Sequence, residues 1–132
     1  MTTAKKNNVV ELFKKNVEPE QESTFLPHKM YPINPHKIVA QTSNAICFEA
    51  RIEYRYPSKT WDYTLSCWFP KSMMVNVFLP GWLFMAKAKD ARQELLRLED
   101  FLELFQTGKI HLSDFFLRVD DYLINLDADF LK

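Results

Sequence analysis

Residues 45–56 read Ala-Ile-Cys-Phe-Glu-Ala-Arg-Ile-Glu-Tyr-Arg-Tyr and alternate without a slip. Ile46, Phe48, Ala50, Ile52, Tyr54 and Tyr56 fall on one side; Cys47, Glu49, Arg51, Glu53 and Arg55 fall on the other. A period of two over twelve residues specifies a strand with one dry and one charged face. So clean a division belongs to an antiparallel sheet covered on one side only. The rest of the chain must therefore supply both the neighbouring strands and the cover.

The neighbours follow the same logic. Trp61, Tyr63, Leu65, Cys67 and Phe69 alternate against Thr60, Asp62, Thr64, Ser66 and Trp68, which predicts a second strand over 61–69. A one-residue slip would turn every side chain to the wrong face, so only registers that keep parity are allowed. Pairing Tyr56 with Trp61 does so and leaves Pro57-Ser58-Lys59-Thr60 as a loop. The tighter alternative puts Pro57 first in a two-residue turn that demands a positive φ. The wider register sets Arg55 opposite Asp62, a favourable cross-strand charge pair. Further strands are expected over 37–43 and 73–79, the latter adding Met73, Val75, Val77 and Leu79 to the dry face. On the wet face it would bring Trp68, Met74 and Phe78 together beside the charged strip.

After Pro80-Gly81 the period becomes helical. Phe84, Ala88, Ala91, Leu95, Leu98, Leu102 and Phe105 recur at intervals of four and three, predicting one amphipathic helix over 83–107 that stops at Gly108. Ser113 reads as the N-cap of a second helix over 114–126, with Asp114 in its first turn and Phe116, Val119, Leu123 and Leu126 as its buried stripe. The expected fold is α+β: an antiparallel sheet of three or four strands with two C-terminal helices on one face.

Residues 1–36 differ in composition, with the run Glu18-Pro19-Glu20-Gln21-Glu22 followed by Pro27, Pro32 and Pro35. Such a stretch resists packing and reads as an extended or flexible arm preceding a single domain over 37–132. Within it, Val9, Val10, Leu12 and Phe13 between lysine pairs form a short amphipathic hook at 9–15, too short to stand alone. It needs a surface to dock on, either its own domain or a partner.

Several chemistries are disfavoured by what the chain contains. The formal net charge of zero argues against a protein devoted to coating nucleic acid. The distribution is uneven, with six basic against three acidic residues in 28–81 and seven against ten in 82–132. The only glycines, Gly81 and Gly108, sit at turns, so no phosphate-cradling loop is available and no nucleotide cofactor is expected. His28, His36 and His111 and the cysteines Cys47 and Cys67 have no metal-motif spacing. Cys47 reads as partly exposed and Cys67 as buried. Glu49 and Glu53 share a face but lie ~13 Å apart along a strand, beyond the reach of a glycosidase pair. The longest apolar stretch, 73–86, is broken by Pro80-Gly81 and is too short for a membrane helix. Unpaired cysteines and a polar N-terminus suggest a cytoplasmic setting.

What is left is surface chemistry. Large aromatics and Met beside Arg make up interface anchors. The sequence therefore points to a non-enzymatic protein-binding module, an adaptor, inhibitor or assembly factor. Its expected partner-binding residues are Trp68, Met74, Phe78, Arg51, Arg55, Glu49 and Glu53, with Leu12 and Phe13 from the hook. A homo-oligomer would also cover such a surface. The alternative is a single-stranded nucleic-acid binder using the same basic and aromatic face.

Overall fold

The computed structural model describes residues 21–56 and 59–131. In chain order the elements are β1 (Met30–Pro32), β2 (Ile38–Gln41), β3 (Ala45–Tyr56), β4 (Lys59–Pro70), β5 (Phe78–Pro80), α1 (Gly81–Leu96), α2 (Glu99–Gln106), β6 (Phe115–Val119) and β7 (Tyr122–Asn125). The α+β class and antiparallel pairing are as expected. The main sheet has five strands rather than three or four, and β1 and β5 form a separate two-stranded ribbon.

β3 is the centre of the main sheet. β4 runs its full length on one side; on the other, β2 pairs with Ile46–Phe48 and β6 with Arg51–Tyr54, and β7 follows β6. Ile46, Phe48, Ala50 and Ile52 are buried, as their alternation requires. The register with β4 differs by two residues from the expected one. Tyr56 pairs with Lys59 and Tyr54 with Trp61, so that Arg55 faces Thr60 and Glu53 faces Asp62. Both registers preserve parity, so the faces are unchanged. The tighter one adds two residue pairs to the ladder, and each cross-strand pair stabilises by ~0.2–1 kcal/mol, enough to outweigh a local turn preference.

Three other expectations fail for identifiable reasons. The stretch 73–79 is not a third strand of this sheet. Lys71–Met73 is a 3₁₀ turn, Asn76 adopts φ 57° in a loop closed by reciprocal Val75–Phe78 backbone bonds, and the strand is confined to Phe78–Pro80, paired with β1. Asn tolerates the left-handed conformation that ends such a run.

The single helix is two helices. The N–H groups of Arg97 and Leu98 donate to Glu94 and Leu95, tightening the end of α1, and Leu98 is extended before α2 begins. No Gly or Pro marks this break. Glu99 and Asp100 in the first turn of α2 suit the helix dipole. The break turns Phe101 onto Trp61, with ring centroids 4.8 Å apart, and Phe105 onto Phe115 at 5.6 Å.

The second helix is a β-hairpin. Phe115, Leu117 and Val119 point inward, Phe116 and Arg118 outward, and the chain reverses at Asp120-Asp121 with Asp120 at φ 54°. Its apolar residues fit both periods; the short reversal at two aspartates decides for a hairpin.

Both helices cover the dry face, α1 through Phe84 on Phe69 (5.4 Å) and α2 through Phe101 on Trp61. Residues 21–36, the described part of the supposed arm, are built into the domain. Phe25 stacks on Phe84 at 4.9 Å, and Phe25 and Ile33 are buried. Ser23 covers the edge of β7, its N–H donating to the Leu123 carbonyl (2.7 Å) and its Oγ accepting from the Leu123 N–H (3.2 Å). The hook at 9–15 lies outside the described residues. Among the described residues no helix is long and apolar enough to cross a membrane.

Gly81 sits where this N-terminal segment crosses the start of α1. A Cβ there would lie 2.2 Å from the Leu26 carbonyl oxygen and 2.9 Å from the Tyr31 ring. Gly81→Ala should cost about 1–3 kcal/mol by overpacking, read as a lower urea midpoint at unchanged slope.

Candidate functional site

The polar side of β3 projects Glu49, Arg51, Glu53 and Arg55 as the alternation requires. β6 adds Arg118 directly opposite Arg51, and Phe116 opposite Glu53. Two arginines facing each other across strands would repel. Glu53 resolves this by sitting diagonally between them. Arg118 donates from Nε to Glu53 Oε2 at 2.7 Å and from Nη2 to Oε1 at 3.4 Å. Arg55 Nη1 donates to Oε1 at 3.2 Å, and Arg51 Nη2 lies 3.6 Å from Oε2. The Arg55 guanidinium also lies over the Phe116 ring, 5.9 Å from its centroid. The Glu53 side chain is only 15% exposed. Burial alone would raise its pKa, but the Arg118 hydrogen bond and the charges of Arg118, Arg55 and Arg51 outweigh it and hold the carboxyl below its ordinary value.

One end of this face opens into a groove of about 710 Å³ between β3, β6 and the N-terminal segment, with Gln21, Lys37, Arg51 and Arg118 among its walls. Lys37 is paired with Asp121 there. Asp120 is buried; its Oδ2 accepts from the Asn34 N–H at 3.2 Å, and its Oδ1 has no hydrogen-bond partner among the described residues. Burial pushes its pKa up, against the Asn34 hydrogen bond.

The expected site residues are only partly brought together. Glu49, Arg51, Glu53 and Arg55 share one face. Trp68 is on that face, 40% exposed and opposite Cys47. Phe78 lies in the separate ribbon opposite Pro32, and Met74 follows the 3₁₀ turn and packs against the core, so the aromatic and Met patch is not assembled by one sheet. Leu12 and Phe13 lie outside the described residues. Cys47 is buried rather than partly exposed, because β2 and β4 flank it on either side with Ala40 and Trp68. Cys67 is buried on the dry side, and burial pushes its thiol up to about 11.

Arg118, Phe116 and Asp120 were missed because 114–126 reads as a helix. The alternation Phe115-Phe116-Leu117-Arg118-Val119 before Asp120-Asp121 was the available signal. The described residues hold no cluster of three or more His, Cys, Asp or Glu placed to ligate a metal. No known protein family model, curated protein or solved structure matches the chain.

Glu53→Gln should cost about 1–3 kcal/mol at pH 7, since a hydrogen-bonded charge is lost. A lowered folded-state pKa contributes stability that is complete above about pH 4.3 and is lost as pH falls through the folded value. Urea unfolding from pH 7 to 3 should show the two proteins converging. Asp120→Asn has the opposite sign. Its raised pKa favours folding below about pH 4 and loses that contribution as pH rises. The variant should therefore be the more stable protein at pH 7 and lose its advantage in acid.

Proposed function

We propose that the protein is a small non-enzymatic binding module that receives a protein partner on the polar face of its five-stranded sheet, as an adaptor, inhibitor or assembly factor does. The observation that carries this reading is the arginine group: three guanidinium groups gather on one carboxylate, on a face that neither helix covers. Guanidinium groups are planar, always charged and shaped to take carboxylates two oxygens at a time. Held in place by Glu53, they are ordered before a partner arrives, which lowers the entropy cost of binding. Trp68 supplies a large apolar contact on the same face, and Trp and Arg together dominate interface energetics. The partner surface this chemistry fits is an acidic one with an apolar residue beside it. Leu12 and Phe13 belong to the proposal as a second contact from the N-terminal segment, as does a cytoplasmic setting, which two unpaired thiols suit.

A second reading is favoured by Arg55 over Phe116 and by exposed Trp68, a platform of the kind on which single-stranded bases stack. Glu49, Glu53 and Asp62 on the same face oppose it. Arg51→Glu and Trp68→Ala should each abolish capture of a partner from native extract that the parent retains, with melting temperatures close to the parent's. Unchanged capture by both variants would refute the binding-face reading. Tight binding of a labelled thymidine oligonucleotide that collapses between about 50 and 200 mM salt would replace it with the nucleic-acid one.

A further inference from the structure

An edge strand leaves a row of backbone N–H and C=O groups open to pairing, and proteins blunt such edges by shortness, bulges or a covering segment. Two edges of the main sheet are blunted in these ways. Ser23 covers β7, and β2 is four residues long with a register shift between Ile38 and Ala40. β4 is different: it runs for 12 residues, pairs with β3 without a slip and has no proline before Pro70. The Lys71 N–H donates to the Asn44 carbonyl at 2.8 Å, in line with the β3–β4 register, and on the far side of β3 the Ala45 carbonyl accepts from Thr42 at 2.9 Å. Odd-numbered residues of β4 therefore turn their backbone groups towards β3, and even-numbered residues turn theirs outward. Among the described residues, no strand or hydrogen bond meets the outward backbone groups of Asp62, Thr64, Ser66 and Trp68. We propose that this edge pairs antiparallel with the same edge of a second copy of the chain, about a two-fold axis at Thr64, joining the two sheets into one.

Three features select a second copy as the occupant. The first is self-complementarity. With Thr64 on the axis, the outward residues meet as hydrogen-bonded pairs, Thr64 with Thr64 and Asp62 with Ser66, and the same patch serves both copies, so the contact closes. Facing threonines, and a carboxylate facing a hydroxyl, are favourable cross-strand pairs, and Asp62, the one acidic residue of β4, is kept away from its own image. The second is parity. Even-numbered residues meet even-numbered ones, so the polar faces of the two sheets are continuous and the dry faces likewise, with Tyr63 opposite Leu65. The third is charge. A groove of about 410 Å³ lies between this edge and α1, lined by Tyr63, Leu65, Asp90, Gln93, Glu94 and Arg97. Thr64 lies between Tyr63 and Leu65, so the axis crosses the mouth of the groove and sets α1 beside its image running the opposite way. Glu94 is engaged within its own copy, accepting from the Tyr63 hydroxyl at 2.9 Å and from Arg97 at 3.4 Å. The Arg97 side chain is 72% exposed and is turned by the axis towards Asp90 of the other copy.

The pairing uses the backbone of β4 and not the arginines of β3 and β6, so it stands or falls apart from the binding-face reading. Sedimentation equilibrium of the full chain at micromolar concentration should give twice the 15.7 kDa mass of one copy. Thr64→Lys should return the mass to that of a single copy with an unchanged far-UV circular dichroism spectrum, because like charges then meet on the axis. Cysteine variants fix the register and do not depend on the lysine variant folding. In Thr64→Cys the facing Cα atoms lie about 5.5 Å apart, within disulfide reach, and mild oxidation should link the two copies. In Ser66→Cys the two thiols sit four residues apart along the ladder, ~13 Å, and should stay unlinked. A parent that sediments as one copy, or a folded Thr64→Lys variant that remains double, would overturn the inference. Linking through Ser66→Cys but not through Thr64→Cys would overturn the axis at Thr64 and the register with it.

Discussion

Phe84 is the point at which the chain's distant parts meet. Its buried ring, carried by the first turn of α1, packs within 4.9 Å of Phe25, 5.0 Å of Tyr122 and 5.4 Å of Phe69, centroid to centroid. Those three rings belong to the N-terminal segment, the last strand and the edge strand of the main sheet. Aromatic pairs at these separations gain from ring geometry as well as from burial. The segment 21–36 has little regular structure of its own, and this packing fixes its course together with the Ser23–Leu123 bonds and the pairing of β1 with β5. Gln21 in the groove and Asn34 on Asp120 depend on that course, as does the Tyr122 hydroxyl, whose ring packs on Phe84 and which donates to the Pro32 carbonyl at 2.5 Å.

The two faces of β3 divide the work. One side is closed by α1 and α2 through aromatic contacts, and it sets stability. The other is held by ionic contacts around Glu53, which join β3 to β6 from above while backbone bonds join them from within.

How far the sequence led depended on whether one period dominated locally. Between 45 and 69 strict alternation left no choice, and the strands and faces are where that pattern puts them, although Cys47 on the polar face is buried between its flanking strands. Phe84, Ala88, Ala91 and Leu95 likewise announced α1 correctly. Between 113 and 126 the same apolar residues satisfied both periods, and a good helix cap at Ser113 outweighed the aspartate pair that turns the hairpin. That misreading hid Arg118, the closest partner of Glu53. The break at Leu98 carries no Gly or Pro because it arises from tertiary contacts of Phe101 and Phe105 with Trp61 and Phe115. The register of β3 against β4 was decided by the whole ladder, which a turn-centred argument does not weigh. Four of the expected site residues were legible as a strip; their geometry required β6.

The two thiols give the fold a practical property. Cys47 and Cys67 lie on opposite sides of the sheet, each buried, and a thiol shut away from solvent reacts slowly with alkylating agents and peroxides. With the backbone pleat between them, they have no route to a disulfide that keeps the ladder intact. The native chain is chemically quiet towards sulfur reagents, so a cysteine introduced on an open surface would take up a maleimide dye or nitroxide selectively, without any need to remove the natural pair.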